Sequence, residues 1–207
     1  MRVGIDFGTT NSGIAIYDGA GMHLFKVDEL LPDLLPSIIY ITKQFAEYVG
    51  SEARDLYLQQ NVNRPSRFEK IWVGELEMWV STATSPKLVR MDVFAWNDVL
   101  APGRLLKSVK TALRSQDYEG THIFSQKYTL EQLIAILLRH LVSTVETRLG
   151  QPITSAVLGR PVKFSDDTAV DQRAETIISA AAELAGLADV RFLPEPIAAA
   201  YTFHKQL

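Results

Sequence analysis

The first 27 residues alternate hydrophobic and polar positions in three short runs. Residues 2–7 and 13–17 each place alternate apolar side chains on one face, which predicts two strands, and a third strand is predicted at 22–27. Between the first two runs, residues 8–11 (Gly-Thr-Thr-Asn) are small or turn-favouring and suit a tight bend. The pattern therefore predicts an antiparallel meander.

The last third of the chain alternates strand and helix patterns. Apolar runs at 153–158 and 190–193 predict buried strands, and an amphipathic helix is predicted between them at 168–185. Pro196 stands at the first position of a further predicted helix, where proline is favoured. This order predicts a right-handed crossover and two parallel strands.

Two more helices are predicted from apolar spacing. One begins at Arg104, because leucine and valine recur after it at four-residue spacing. The other is long, is preceded by a capping-box pair, Thr129 and Gln132, and ends at Gly150.

The region before Arg104 carries weaker patterns. Strands are predicted at 37–42 and 45–49, and Ser51 is expected to cap a helix that continues to Leu58. Residues 61–103 show only short strand-like runs and are predicted to form a subsidiary α+β insertion. Its tryptophans are expected to form the core of that insertion; they are Trp72, Trp79 and Trp96.

Composition narrows the classes of function. Of 207 residues, 47% are hydrophobic and 22% are charged, which is typical of a folded globular protein. The net charge of −3 and the lack of a Lys/Arg stripe disfavour nucleic-acid binding. No apolar segment is long enough for a signal peptide or a membrane span, so a cytoplasmic protein without a membrane partner is expected.

Metal and thiol chemistry are also constrained. The chain has no cysteine, which excludes disulfides, a cysteine nucleophile and thiolate metal sites. A histidine zinc site is not expected, because the four histidines lack metal-binding spacing. None is assigned a role; they are His23, His122, His140 and His204.

Three features could carry chemistry. Asp6 ends a predicted strand, and the bend after it could bring backbone N–H groups to an anion; the simpler interpretation is an ordinary hairpin turn. Glu195 follows another predicted strand end and could take a proton or hold a metal-bound water, or it could merely complement a helix N-terminus. Lys110 could neutralise phosphate charge, or it could belong to a solvated face with Lys107 and Arg114.

These features occur in an order that resembles the ATPase domain of the DnaK-type (seventy-kilodalton heat-shock) chaperones. The resemblance covers nearly the whole chain and is weakest across residues 55–103. Its motifs are Gly-Ile-Asp-Phe-Gly-Thr-Thr-Asn-Ser at 4–12, Leu-Pro-Ser at 35–37, Val-Gly-Ser-Glu-Ala at 49–53, Arg160-Pro161, Gln172-Arg173, Ala-Gly-Leu at 185–187 and Leu-Pro-Glu-Pro-Ile-Ala-Ala-Ala at 193–200.

The resemblance implies an α/β fold of the actin-like ATPase type with a ribonuclease-H-like core. This chain would be its first lobe, with a core subdomain at 1–36 and 128–207 and an inserted α+β subdomain at 37–127. The last helix is still predicted at Leu207 and the family's second phosphate loop has not been reached, so the chain is expected to be a fragment of a longer parent.

The resemblance also assigns roles to residues. Asp6 would hold Mg²⁺ through water, and the nucleotide phosphates of ATP or ADP would contact the bend, which comprises Gly8, Thr9, Thr10 and Asn11. Glu195 matches the acidic residue near the metal and the attacking water. Lys110 best matches the catalytic lysine and Lys107 is the weaker candidate. Pro161 and Arg173 resemble positions that relay nucleotide state.

Three departures point to the YegD-like branch, which lacks the peptide-binding half. Arg160 stands where an apolar residue is usual, extra residues precede Gln172, and Ile197 replaces a threonine. The expected function is therefore ATP hydrolysis by the intact parent, with no turnover by one lobe alone. Expected partners are the nucleotide, the second lobe, and protein clients or co-chaperones.

Two other functions stay open. A sugar or metabolite kinase of the same fold would begin with a similar hairpin, and sugar-stimulated ADP release would identify it. A catalytically degenerate scaffold would bind no Mg-ATP. The sequence names neither a client nor an oligomeric state.

Overall fold

The computed structural model describes residues 2–81 and 85–206, with side chains as far as Tyr201. Leu207 and the side chain of His204 lie outside the described residues. The chain divides into two compact units: a larger one, up to Gln59 and from Gly103 onward, and a smaller one, Gln60–Pro102. The smaller unit is shorter than the insertion predicted at 37–127, and the predicted subdomain boundaries stay a prediction.

The first six elements of the chain are strands, and helices are interspersed among the strands after them. The strands are β1 (Arg2–Phe7), β2 (Asn11–Tyr17), β3 (Met22–Leu24), β4 (Leu35–Pro36), β5 (Ile38–Thr42), β6 (Glu47–Val49), β7 (Phe68–Ser81), β8 (Pro86–Asp98), β9 (Gly103–Lys107), β10 (Gly120–Ile123), β11 (Gln126–Thr129), β12 (Ser155–Arg160) and β13 (Asp189–Pro194). The helices are α1 (Gly50–Asn61), α2 (Leu130–Leu149), α3 (Thr168–Leu184), α4 (Glu195–Gln206) and a 3₁₀ helix, Val109–Arg114.

The larger unit is built on a mixed sheet with the strand order β13-β12-β1-β2-β3, and β4 also pairs with β2. The β1–β2 and β2–β3 pairs are antiparallel, as the alternation predicts, although β3 ends at Leu24 rather than at residue 27. The β1–β12 and β12–β13 pairs are parallel, which confirms the predicted parallel pair. The carboxyl ends of β1, β12 and β13 therefore meet at one edge of the sheet.

Helices α2 and α3 pack against each other and complete the core of this unit. The capping box that begins α2 is present, since the Thr129 hydroxyl accepts from the Gln132 N–H and the Gln132 side chain accepts from the Thr129 N–H. Gly150 ends the helix with φ of 65°, a left-handed conformation that favours glycine. The apolar stripe of α2 is buried, and Leu137 has no exposed surface.

The prediction of a helix from Arg104 is wrong for the first residues of that segment. Residues 103–107 form β9, which pairs antiparallel with β5, so backbone pairing within a small sheet determines their conformation. Ser108 then adopts a left-handed conformation with φ of 55°, and the chain turns into the 3₁₀ helix. The predicted apolar spacing is confirmed only for Val109 and Leu113, which are the buried side chains of that short helix.

The N-cap assigned to Ser51 is also corrected. Helix α1 begins at Gly50, so Ser51 lies inside its first turn. The Asp28 carboxylate accepts from the Ser51 N–H at 2.7 Å and from its hydroxyl at 2.6 Å. A carboxylate from a distant segment thus satisfies the Ser51 backbone donor at the start of the helix.

The smaller unit is a two-stranded antiparallel ribbon of β7 and β8, not an α+β insertion. Its tryptophans do not form a core. Trp72 is 58% exposed and Trp79 and Trp96 are each 71% exposed, because a two-stranded sheet has no second layer to cover them.

None of the helices in the described residues combines the length and the apolar character needed to cross a membrane.

Candidate functional site

Two carboxylates lie at the sheet edge where the parallel strands end. Asp6 is the penultimate residue of β1, and Glu195 directly follows β13. Gly159, near the end of the intervening strand β12, separates them: a Cβ placed on it would lie 3.8 Å from Asp6 Oδ1 and 3.6 Å from Glu195 Cγ. The sheet order thus brings together two acidic residues predicted from their positions at strand ends.

Lys110 reaches this pair from the 3₁₀ helix. Its Nζ donates to Glu195 Oε1 at 2.9 Å, across a sequence separation of 85 residues. The Lys110 side chain is only 10% exposed, whereas that of Glu195 is 43% exposed. The alternative lysine, Lys107, lies on β9 and is exposed. The structure therefore brings Lys110 to Glu195, and the solvated-face interpretation does not describe its surroundings.

The loop after the 3₁₀ helix is tied to α3. The Arg173 guanidinium donates to the Ser115 carbonyl at 3.0 Å and to the Tyr118 carbonyl at 2.7 Å. Arg173 therefore restrains the segment that follows Lys110.

The three charges affect one another. Although Asp6 is exposed to solvent on one side, partial desolvation by the surrounding protein raises the pKa of its carboxyl, and the negative charge of Glu195 raises that pKa further. The positive charge of Lys110 acts in the opposite direction and offsets part of this increase. Asp6 is thus a carboxylate whose ionised form would gain from additional positive charge.

The bend between β1 and β2 is fixed by two buried hydroxyls. The Gly8 N–H donates to Ser12 Oγ at 3.2 Å, and the Ser37 hydroxyl donates to the Gly8 carbonyl at 2.9 Å. The two hydroxyl oxygens are 3.1 Å apart, and the Ser37 N–H also donates to the Thr10 carbonyl at 2.8 Å. Ser12 and Ser37 are 0% and 2% exposed, so a residue 29 positions beyond Gly8 restrains the bend from inside the fold.

The bend itself requires glycine at its first position. A Cβ on Gly8 would meet the Asn11 carbonyl oxygen at 2.0 Å, much closer than atoms tolerate. Thr9 and Thr10 are exposed and Asn11 is partly exposed, so their polar groups are accessible to a ligand.

An open cavity of about 1090 Å³ lies beside the carboxylates. Asp6, Gly159 and Glu195 line one part of it, and apolar side chains such as Leu24 and Leu34 line another. Residues 8–11 are not among its lining residues; they follow Asp6 around the same strand end.

The donor set suits a hard cation. Magnesium takes oxygen ligands, commonly one or two carboxylates, and completes its shell with water and substrate phosphates. Asp6 and Glu195 flank one glycine and supply such carboxylates. Within the described part of the chain, no group of three or more His, Cys, Asp or Glu side chains forms a metal site by itself.

Next to this edge, Arg160 holds the loop that follows β12. Its guanidinium donates to both Asp171 carboxylate oxygens at 3.1 Å and lies 3.1 Å from the Glu175 carboxylate. The Phe164 N–H and then Arg160 hold the pKa of Asp171 below its usual range despite some desolvation. Pro161, the first residue of the loop, is thus tethered to α3 through its neighbour.

Sequence reasoning missed Ser12, Ser37 and Gly159 as parts of this edge. The Leu-Pro-Ser motif contained Ser37, but nothing local shows that its hydroxyl reaches Gly8. Gly159 had a detectable signal: it is a glycine near the end of a predicted strand that belongs between two strands ending in carboxylates.

Comparison with protein-family models relates part of the chain to a known family. Residues 101–206, just over half of the chain, match the family model described as Hsp70 protein. The match confirms the coarser part of the resemblance, a mixed α/β, actin-like ATPase domain of the Hsp70 type with an ATPase and chaperone-related function.

Proposed function

The chain belongs to the Hsp70 protein family, and from this premise we propose that it forms the first lobe of a DnaK-like, YegD-type ATPase. In this proposal the intact protein binds Mg-ATP between two lobes and hydrolyses it. The observation that carries the proposal is the meeting of Lys110 and Glu195 at 2.9 Å, beside Asp6, at the carboxyl edge of a parallel sheet.

We assign the metal to the acidic pair. Asp6 would hold Mg²⁺ through water, with Glu195 on the other side of Gly159. When bound, the ion supplies positive charge to the nucleotide phosphates and to the two carboxylates. The raised pKa of Asp6 supports the assignment, because the positive charge of a cation would offset the lost solvation and the repulsion from Glu195.

We assign Lys110 and Glu195 to catalysis. Lys110 donates to Oε1 of Glu195, which leaves Oε2 to accept a hydrogen bond or a proton from the attacking water. The Lys110 ammonium also places a positive charge where charge develops on phosphate oxygens. Its low exposure strengthens both effects.

We assign the phosphates to the bend, which comprises Gly8, Thr9, Thr10 and Asn11. Accessible hydroxyls and N–H groups in a turn suit phosphate oxygens. The hydroxyls of Ser12 and Ser37 hold the turn before a ligand arrives, so little ordering is required on binding.

The larger architecture is part of the proposal. The core subdomain would comprise residues 1–36 and 128–207, and the inserted subdomain residues 37–127. Clients or co-chaperones and a cytoplasmic location are expected, and one lobe by itself should show no turnover, because the nucleotide would contact only half of its site.

ATP hydrolysis by the intact protein tests these roles. Asp6→Asn and Glu195→Gln should each lower kcat by at least about 100-fold, because each removes a charge that acts on the reacting groups. Lys110→Ala should do the same, whereas Lys107→Ala, the matched control, should leave kcat nearly unchanged. Unchanged turnover in Asp6→Asn and Glu195→Gln would refute the assignment.

Two binding experiments separate the remaining alternatives. Calorimetry with Mg-ATP should detect binding to the intact protein, and its absence would favour a degenerate scaffold. ADP release should be independent of sugars, and sugar-stimulated release would favour a metabolite kinase.

A further inference from the structure

The β7–β8 ribbon has one continuous apolar face. Directly opposed residues of an antiparallel pair lie on the same face, and successive residues alternate between faces. The register Leu76↔Met91 and Met78↔Val89 therefore places four apolar side chains together, and Ile71 lies on the same face beyond the bulge. Leu76 is 50% and Met91 52% exposed. A two-stranded ribbon that exposes such a face is typical of an interaction surface.

The two edges of the ribbon differ in how open they are to pairing. A register irregularity between Trp72 and Gly74 interrupts β7, and a bulge of this kind blocks edge-to-edge pairing. The strand also carries Glu75 and Glu77 on one face, so two copies of β7 paired about Leu76 would oppose like charges. The edge of β7 is therefore protected.

The edge of β8 has neither protection. Residues 87–97 run without a bulge, and in the described residues no strand other than β7 pairs with it. Pro86 limits pairing only at the beginning of the strand. The outward N–H and C=O groups of β8 can therefore pair with another strand.

The side chains of β8 are complementary to a second copy of the same strand. In an antiparallel pair with its two-fold axis at Met91, Arg90 of each copy lies opposite Asp92 of the other. In the same register, Phe94 of one copy lies opposite Leu88 of the other, and Val93 lies opposite Val89. An axis at Asp92 would instead oppose two aspartates, and an axis at Arg90 would oppose two arginines.

We propose that the chain forms a symmetric dimer through antiparallel pairing of β8 with β8 of a second copy, centred on Met91. The pairing joins two ribbons into a four-stranded sheet, which is more stable than an isolated two-stranded ribbon. The pairing also joins the apolar face of each ribbon into one larger apolar face on the same side of the four-stranded sheet. The contact lies entirely within the smaller unit and does not depend on the proposed ATPase activity.

Sedimentation velocity of the 207-residue chain, from about 1 µM to about 1 mM, tests the dimer over the range of weak to moderate affinities. A concentration-dependent shift from monomer to dimer is expected. A monomer at every concentration would overturn the proposal and would leave the β8 edge to a different partner.

Two charge variants test the register. Asp92→Arg places arginines opposite Arg90 of the other copy, and Arg90→Asp places aspartates opposite Asp92, so each should weaken its own dimer by at least about tenfold. In an equimolar mixture of the two variants, every contact again joins opposite charges. The mixture should recover the original affinity as a heterodimer, and a mixture no tighter than the separate variants would overturn the register.

A control and a local measurement complete the test. Glu69→Lys changes a charge on the protected strand, opposite Asn97 and away from Arg90 and Asp92, and it should leave the dimer affinity within about twofold. Hydrogen exchange on raising the concentration should slow for amides in residues 87–95 and remain the same in β7. Protection confined to β7 or to the larger unit would assign the dimer to another surface and overturn the proposal.

Discussion

The strands of the larger unit and the β7–β8 ribbon both carry apolar side chains, yet the two units bury those side chains to different extents. In β1, Val3, Ile5 and Phe7 are 1–2% exposed, because they share one core with side chains of α2 and α3. In the ribbon, Trp79 and Trp96 remain 71% exposed. Alternation determines which side chains share a face of a strand, and a second packed layer determines whether that face is buried.

The same difference applies to polar groups. In the larger unit, buried Asp28, Ser12 and Ser37 each have hydrogen-bond partners from distant segments. In the ribbon, polar pairs such as Arg90–Glu77 lie at the surface, where solvent competes for both partners. Substitutions should therefore be costly in the first unit and mild in the second.

The largest expected effect concerns apolar packing. Leu137→Ala, at a fully buried position of α2, should lower the free energy of unfolding by about 2–5 kcal/mol. Trp79→Ala removes a larger but mostly exposed side chain and should cost less than about 1 kcal/mol. Urea unfolding followed by circular dichroism compares them. Equal costs would contradict the contrast between the units.

The next effect concerns the buried carboxylate Asp28. Burial raises its pKa, but hydrogen bonds from Ser51, Leu31 and Leu30 outweigh this and hold the pKa below its usual range. Asp28→Asn should cost about 1–3 kcal/mol at neutral pH, since several donors lose a charged acceptor.

The pH dependence of this cost follows from the lowered pKa. The stabilisation is fully present above the unfolded-state pKa of aspartate and is lost as the pH falls through the folded-state pKa. Urea titrations at neutral and acidic pH should show that the difference in unfolding free energy between the original chain and Asp28→Asn becomes smaller in acid. Glu75→Gln in the ribbon is the matched control and should change stability little. A cost that grows in acid would refute this account.

A smaller effect is expected at the bend. Ser37→Ala removes the donor to the Gly8 carbonyl and one partner of Ser12, and should cost about 1–2 kcal/mol. Ser81→Ala, at an exposed position of the ribbon, should have almost no effect. Thermal unfolding measures both, and a neutral Ser37→Ala would show that the bend does not depend on its hydroxyl.

The smallest effect has the opposite sign. Because the pKa of Asp6 is raised, its ionised form penalises the folded state above the folded-state pKa, and the penalty disappears as the pH falls and the carboxyl is protonated. Asp6→Asn should therefore raise the Tm of the nucleotide-free chain at neutral pH by about 1–2 °C, a small gain because solvent screens this site. Calorimetry at neutral and acidic pH checks this, and a lower Tm at neutral pH would contradict the charge balance described here.

Local patterns predicted much of the larger unit. The capping box and the glycine end of α2 follow from short-range backbone geometry, and the parallel β12–β13 pair follows from the strand–helix–strand order. The predictions failed where distant partners override local preference. Residues 103–107 pair with β5 instead of continuing a helix, and Asp28 replaces Ser51 as the acceptor at α1.

The sequence alone determined which residues could perform chemistry: a carboxylate and a glycine-containing bend after one strand, and a glutamate after another. Tertiary structure decided which of them meet. Lys110 and Glu195 are 85 residues apart, and only the order β13-β12-β1 and the position of the 3₁₀ helix bring them to 2.9 Å. Periodicity acts over a few residues, whereas sheet order and layering depend on the free energy of the whole chain, so contacts between distant segments are not contained in any local pattern.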